Sequence, residues 1–151
     1  MATDPTFATT PVIGFGQLAT AVTTVDNPTS SGNAITNGIT LVDAPANPVI
    51  VTAIEVQQAQ ATVAAGVVRL YLSSNGSTWR LIDDIQVAAN TISNTAAGEA
   101  AGRWSHFYDG IDHGLGLKLV RPQLIIPAGY RLAVTTTITQ VLNVFAHGVT
   151  A

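Results

Sequence analysis

The sequence predicts an all-β protein built as a sandwich or a barrel. Its 151 residues suit one domain that can bury a real core. Runs rich in Thr, Val and Ile recur at short intervals, with turn residues between them and no stretch with the period of an amphipathic helix. The pattern predicts about eight or nine short strands, which a jelly roll, an immunoglobulin-like sandwich and a simpler barrel all fit.

The first half of the chain alternates between β-branched runs and turn signals. β-Branched residues favour strands, whereas Gly, Pro and Asn interrupt them, so the boundaries follow from composition. The predicted elements are a strand at 12–25 with a kink at Gly14 or Gly16, a loop at 26–38 with a tight turn at Asn37-Gly38, and strands at 39–44 and 49–60 separated by the prolines of 45–48.

The second half begins with a hairpin and continues through an irregular segment. Residues 89–114 are small and polar and have no clear period, so we predict a long loop there, of the kind that makes contacts or carries function. The predicted strands are 66–72, 78–88, 116–121, 124–126, 130–139 and 141–148, with a break at Pro122 and a turn at 127–129. The domain organisation is an N-terminal extended arm at 1–12 and a β-sandwich domain at 13–151.

Charge is scarce along the whole chain. Charged residues make up 10% of the sequence, the formal net charge is −3 and the mean hydropathy is +0.36, whereas about 25% is typical of soluble domains. A free monomer with so little charge tends to associate, so we predict that neighbouring subunits cover part of its surface. The acidic balance predicts neither a nucleic-acid nor a membrane partner, and without cysteine no disulfide forms.

The stretch RLYLSSNGSTWRLIDDI (69–85) places two carboxylates beside each other and near arginines. Asn75-Gly76 predicts a type I′ turn, which requires positive φ at both residues. Adjacent strand residues point to opposite faces, so Asp83 and Asp84 cannot act as a paired acid and base. Strand parity groups Asp83 with Trp79, Leu81 and Ile85. Asp83 therefore lies at a bulge, pairs with an arginine, or faces a neighbouring subunit.

Four metal-ligand residue types occur within eight residues in HFYDGIDH (106–113). These weak candidates are His106, Asp109, Asp112 and His113. Their spacing matches neither an EF-hand loop nor a zinc-binding helix, and Asp-Gly turns with surface histidines are the commoner explanation. We therefore predict no metal and no cofactor.

GFGQLA (14–19) has the form of a dinucleotide-binding fingerprint, G-x-G-x-x-A. That motif needs a preceding strand and a helix that opens within it, and here a β-branched run follows instead. No nucleophile elbow, phosphate-binding loop or zinc-protease motif occurs either. We therefore predict that the chain is not an enzyme.

Aromatic residues outside the regular strands are candidates for a contact surface. Aromatic side chains are enriched in the centres of protein interfaces. The interface candidates are Phe7 in the arm and Trp104, Phe107 and Tyr108 in the 89–114 segment. The last three, with the Asp/His cluster, are also the residues that would carry a carbohydrate- or receptor-binding site.

Three segments together resemble small virion structural proteins of tailed bacteriophages: VVRLYLSSNG (67–76), WRLIDDIQV (79–87) and LIIPAGYRLAVTTT (124–137). VLNVFAHG (141–148) takes the place of a short closing strand, although many such proteins end in a Gly-Gly-Asp-aromatic tail and this chain ends in AHGVTA. The resemblance covers roughly the last two thirds of the chain. It is a pattern of strands and turns.

The resemblance implies an antiparallel β-sandwich of jelly-roll type and a non-enzymatic structural role. That role is most readily capsid decoration (cement), in which the protein binds the major capsid protein or other virion proteins and cross-links neighbouring subunits. Localisation would be the virion, most readily the capsid surface, after synthesis in the cytoplasm of the bacterial host. A homo-oligomer is expected, with a trimer as the first guess. The alternative is a carbohydrate- or receptor-binding module of a tail fibre or other virion appendage.

Overall fold

The computed structural model describes residues 11–92, 101–108 and 122–151, which contain thirteen β-strands and no helix. The predicted all-β class is confirmed. The strands are β1 Pro11–Leu18, β2 Ser30–Ser31, β3 Ala34–Ile35, β4 Ile39–Asp43, β5 Val49–Gln58, β6 Thr62–Val63, β7 Gly66–Ser73, β8 Arg80–Val87, β9 Asn90–Thr91, β10 Arg103–Phe107, β11 Leu124–Ile126, β12 Arg131–Thr136 and β13 Leu142–Thr150.

Nine of these strands form two antiparallel sheets that pack as a sandwich. Sheet A has the order β1-β13-β5-β10, with β11 also paired to β5, and sheet B has the order β4-β12-β7-β8. Strands β10 and β11 both pair with β5 and can be counted as one strand position. When the resulting eight positions of the two sheets are renumbered 1 to 8 along the chain, their order is 1-8-3-6 in sheet A and 2-7-4-5 in sheet B. This is the strand order of a jelly roll.

The main core lies between the two sheets and is built from alternate residues of their central strands. Strand geometry sends every second side chain inward, so each sheet contributes a regular set of apolar groups. The fully buried members include Val51, Ile54 and Val56 of β5, Val68 and Leu70 of β7, Leu132 and Val134 of β12, and Leu142 and Val144 of β13. Burial of this kind is the main stabilising contribution to such a fold.

Strand β1 closes one side of the sandwich by lying directly against β4. Its inward residues include Gly14 and Gly16, and a Cβ at Gly14 would overlap the backbone oxygen of Leu41. The Gly-x-Gly pattern therefore serves close strand packing rather than a nucleotide phosphate. Pairing of β1 with β13 is continuous from Pro11 to Leu18, so no register shift marks the expected kink, and β1 ends well before residue 25.

The predicted hairpin of β7 and β8 is present, but its turn and its parity differ from expectation. Gly76 has a positive φ of 74° and Asn75 does not, so the turn is not type I′. Instead, the side-chain oxygen of Asn75 accepts hydrogen bonds from the N–H groups of Ser77 (2.9 Å) and Thr78 (2.8 Å). Such an Asx turn lets a longer loop, residues 74–79, join the two strands.

A β-bulge at Ile82 reverses the side-chain parity of β8. Leu70 lies opposite Asp83 whereas Tyr71 lies opposite Leu81, which leaves Ile82 as the extra residue. The prediction that Asp83 shares a face with Trp79 and Leu81 is therefore wrong. Asp83 faces the space between the sheets, and the other two face outward.

Residues 19–38, called the covering segment below, pack on the outer face of sheet B. Beneath them a second apolar cluster consists of Ile35, Tyr71, Trp79 and Ala133, with Leu81 packed against it. The hydroxyl of Tyr71 donates to the backbone oxygen of Val25 (2.9 Å), and Asn27 and Trp79 exchange two hydrogen bonds. The loop predicted at 26–38 is thus a fixed cover that contains β2 and β3, and Asn37 has the positive φ of a tight turn.

Other predicted boundaries also shift. Strand β1 includes Pro11 and Val12, so the described part of the predicted arm 1–12 is strand, and residues 1–10 lie outside the described residues. The predicted loop 89–114 contains β9 and β10. The predicted strand 116–121 also lies outside the described residues.

We predict that Gly14→Ala destabilises the protein by about 1–3 kcal/mol, because the new methyl group forces β1 away from β4. The free energy of unfolding in urea measures this effect. Gln17→Ala is the matched control, since Gln17 lies on the exposed side of the same strand. Equal stability of Gly14→Ala and the control would contradict the close packing of β1 on β4.

Asp26 of the covering segment gives a pH-dependent contribution to stability. The backbone N–H of Leu81 and then the guanidinium of Arg80 lower the pKa of Asp26 below its ordinary value of 3.8. Because the folded-state pKa is depressed, this stability is fully present above the unfolded pKa and is lost as pH falls through the lowered folded pKa. The carboxylate is exposed to solvent, so the contribution is small.

Asp26→Asn should therefore lower stability at neutral pH and weaken the loss of stability below about pH 4. Urea midpoints measured across this pH range for the wild type and the variant test the prediction. The wild-type curve should fall more steeply with acid, and parallel curves would show that the carboxylate does not anchor the covering segment.

Candidate functional site

The outward side of sheet A carries three of the five large exposed apolar side chains of the described residues, and we call it the open face. Cross-strand partners point to the same side of a sheet, so the pairing registers define its rows. From the apolar end to the polar end the rows are Val149, Ile50 and Ile125; His147, Ala53 and Phe107; Phe15, Phe145, Glu55 and Ser105; and Gln17, Asn143, Gln57 and Arg103.

Three large apolar side chains on the open face are strongly exposed. Phe15 is 57% accessible, Ile125 51% and Phe107 42%. They come from β1, β11 and β10, so they span both edges of the sheet. Exposed apolar groups that share one face mark an interaction surface, whereas scattered single ones do not.

Aromatic rings continue across the strands of the open face. The rings of Phe15 and Phe145 lie 5.0 Å apart between centroids with an interplanar angle of 32°, and those of Phe145 and His147 lie 6.4 Å apart at 20°. Beside them the side-chain amide of Gln17 donates to the side-chain oxygen of Asn143 at 2.9 Å. The open face therefore carries a group of polarisable aromatic rings with the Gln17–Asn143 amide pair beside it.

The open face is electrically neutral among the described residues. Its charged groups there are Glu55 and Arg103, and they pair with each other at 3.3 Å. Two other described ion pairs, Asp26 with Arg80 (2.9 Å) and Asp43 with Arg131 (2.7 Å), belong to sheet B and its cover. Charge is therefore concentrated away from the open face.

The two sheets differ in what covers their outer sides. Sheet B has the covering segment, which leaves Tyr71 and Trp79 fully buried. Among the described residues no equivalent segment lies on sheet A, where Phe15 and Ile125 stay exposed. The asymmetry identifies the open face as the candidate functional site.

A polar cluster joins the two sheets at the edge formed by β10 of sheet A and β8 of sheet B. One carboxylate oxygen of Asp83 on β8 accepts a hydrogen bond from the hydroxyl of Tyr108 at 2.7 Å and lies 3.1 Å from Nδ1 of His106 on β10. All three side chains are largely buried: His106 is 14% exposed, Asp83 23% and Tyr108 5%. The bulge at Ile82 is what turns Asp83 toward this contact. Asp83 and Asp84 lie on opposite faces, as predicted.

The structure separates the predicted interface candidates. Trp104 faces inward and packs against the main core, and Tyr108 is buried beside Asp83. Phe107 points outward on the open face, and Phe7 lies outside the described residues.

Of the four weak metal candidates, only His106 is described, and Asp109, Asp112 and His113 lie outside the described residues. Within residues 11–92, 101–108 and 122–151, no three His, Cys, Asp or Glu side chains group in a way that could hold a metal ion. The same ranges contain no helix long and apolar enough to cross a membrane.

Sequence reasoning did not identify Phe15, Phe145, His147 and Ile125 as members of one surface. A partial signal existed, because Asn143, Phe145 and His147 alternate with buried residues along 141–148. Alternation shows that these residues share a side of their strand, but only the pairing of β1, β13, β5, β10 and β11 puts them beside the exposed residues of other strands.

Comparison with protein-family models, with curated proteins and with solved structures finds no match to this chain.

We predict that Tyr108→Phe lowers the free energy of unfolding by about 1–2 kcal/mol, because it removes a hydrogen bond to a largely buried carboxylate. Urea unfolding measures the change. Tyr130→Phe is the control, since the hydroxyl of Tyr130 has no hydrogen bond to the described residues. If both variants unfold alike, the Tyr108–Asp83 contact does not tie the sheets.

Proposed function

We propose that this chain is a non-enzymatic structural protein of a tailed-phage virion, in which it decorates the head and cross-links neighbouring subunits. The observation that supports a role in an assembly is the open face, which leaves Phe15, Phe107 and Ile125 exposed together on one side of the sandwich. The resemblance of residues 67–76, 79–87 and 124–137 to phage virion proteins suggests which kind of assembly it is.

The mechanism is adhesion by burial of apolar surface. Each Å² of apolar area removed from water contributes roughly 25 cal/mol before the entropy of association is subtracted. A single weak contact is enough when many symmetric copies engage one particle, because every further contact is then effectively intramolecular. Segments 1–12 and 89–114, apart from the outward side chains of β10 on the open face, are the proposed contacts with the capsid protein.

A structural role also agrees with how the described polar groups are used. Asp26, Asp43 and Glu55 each pair with an arginine, and the Asp83 carboxylate bridges β8 to β10. These contacts join one strand or segment to another. Each contact therefore connects two parts of the sandwich, as expected for a structural protein.

Co-sedimentation with purified heads tests the proposal. Heads from the phage or prophage whose genome encodes this chain, assembled without it, should bind the added protein to saturation and withstand a higher temperature before they rupture. Heads of an unrelated phage are the control. Protein that stays in the supernatant at saturating concentration, with no change in head stability, would refute a decoration role.

A carbohydrate- or receptor-binding module is the second candidate. The observation that favours it is the group of rings formed by Phe15, Phe145 and His147 beside the Gln17–Asn143 pair, since sugar rings stack on aromatic groups and bond to amides. Trp104 and Tyr108, which sequence reasoning assigned to this role, face inward.

A glycan array tests this second candidate. If it holds, the wild type binds a defined glycan set, Phe145→Ala loses that binding, and Val25→Ala on the covering segment keeps it. An array with no wild-type signal would eliminate the glycan hypothesis.

A further inference from the structure

We propose that the open face binds the same face of a second copy, so that two sandwiches pack through sheet A about a two-fold axis. The inference deepens the proposed function, on which it rests for the role of the pair in a particle. The partner at this face is a second copy of this chain, as the charge and the size of the face indicate.

Charge permits self-association at this face. In a two-fold contact each surface meets its own copy, so a face with net charge meets like charge and repels. The described charges of the open face are Glu55 and Arg103, which neutralise each other within one copy. The chain carries a net charge of −3, yet none of this excess lies on the described part of the open face.

The size of the face matches that of a small specific interface. Four adjacent strands at about 4.8 Å spacing and a β1 of eight residues at about 3.3 Å per residue give a footprint of roughly 500 Å². Two such faces would bury about 1,000 Å², close to the smallest area of a specific interface. Nearly the whole face must therefore be covered, and the identical face of a second copy has the area that this requires.

The opposite side of the molecule offers no comparable apolar partner among the described residues. The covering segment already occupies the outer side of sheet B, and its surface presents the exposed ion pair of Asp26 and Arg80. The exposed apolar side chains there, Val25 and Ile82, come from the cover and from the bulge of β8. In a head-to-tail contact, the apolar open face of one copy would meet the charged surface of the covering segment of another. The like-to-like contact buries apolar surface on both sides, and it gives a pair of copies rather than a trimer.

Light scattering coupled to size-exclusion chromatography, with native mass spectrometry, tests the inference on the full chain. The wild type should be a dimer at micromolar concentration. Phe15→Glu and Ile125→Glu should each raise the dimer dissociation constant by at least about tenfold, because each places two uncompensated charges in an apolar contact. Val25→Glu is the matched control. Val25 is 53% exposed against 57% for Phe15, but it lies on the covering segment, so the variant should stay dimeric.

Far-UV circular dichroism confirms that each variant is folded, and Phe15 and Ile125 are exposed enough for either substitution to be accommodated. A disulfide gives an independent readout, because the chain has no cysteine. Ala53 lies on β5, one of the two central strands of sheet A, so Ala53→Cys should form more intermolecular disulfide under mild oxidation than Val25→Cys, which lies outside the open face.

A monomeric wild type, or an oligomer that survives both Phe15→Glu and Ile125→Glu, would overturn the two-fold pair. Failure of the pair is distinguishable from failure of the proposed function. A monomer that still binds and stabilises heads refutes only the pairing, whereas a dimer that ignores heads refutes only the decoration role.

Discussion

The bulge at Ile82 is the constraint on which the rest of this structure depends. One extra residue in β8 sends Trp79 and Leu81 to the outer side of sheet B and Asp83 to the inner side. A cover over the large Trp79 side chain on this outer face is stabilising, because it removes apolar surface from water. An inward carboxylate must find donors, because an unpaired buried charge is costly. Both requirements arise from the same residue insertion.

The two requirements are met by different parts of the chain. The covering segment buries Trp79, and Asp26 and Asn27 anchor it through hydrogen bonds to the backbone of β8 and of the loop before it. At the other side of β8, Tyr108 donates a hydrogen bond to Asp83 from the position directly after β10, the edge strand of sheet A. Strand β8 is thus tied to the covering segment on one face and to the opposite sheet on the other. This leaves the outer side of sheet A as the apolar face for which the described chain provides no cover.

The fold class could be predicted from the sequence because the signals for strands and turns are local. Val68 and Leu70 alternate with Arg69 and Tyr71, as they do in β7. Bulges are less visible, because the two adjacent aspartates do not reveal that Ile82 is the extra residue. Strand β10 was missed for another reason. As an edge strand it mixes outward Arg103 and Ser105 with inward Trp104, and a small, polar stretch precedes it.

The candidate site was harder to predict than the fold, because it is assembled across strands that are distant in sequence. Phe15 and Phe145 are separated by most of the chain, yet they are direct cross-strand neighbours. The sequence favoured Trp104 and Tyr108 as contacts because they lie in an irregular segment. In the structure their inward parity assigns Trp104 to the core and Tyr108 to Asp83. Position along the chain was thus a weaker guide to exposure than strand register.

The scarcity of charge has a cause inside the fold that sequence reasoning did not consider. The centre of sheet B is buried on both faces, so five consecutive residues of β12, from Leu132 to Thr136, are buried and include two threonines but no charge. A sheet covered on both sides needs few charged residues even in an isolated molecule. Low charge alone therefore does not imply an assembly. An assembly is indicated instead by the position of the exposed apolar groups, since in the described structure three of the five large ones share the outer side of sheet A.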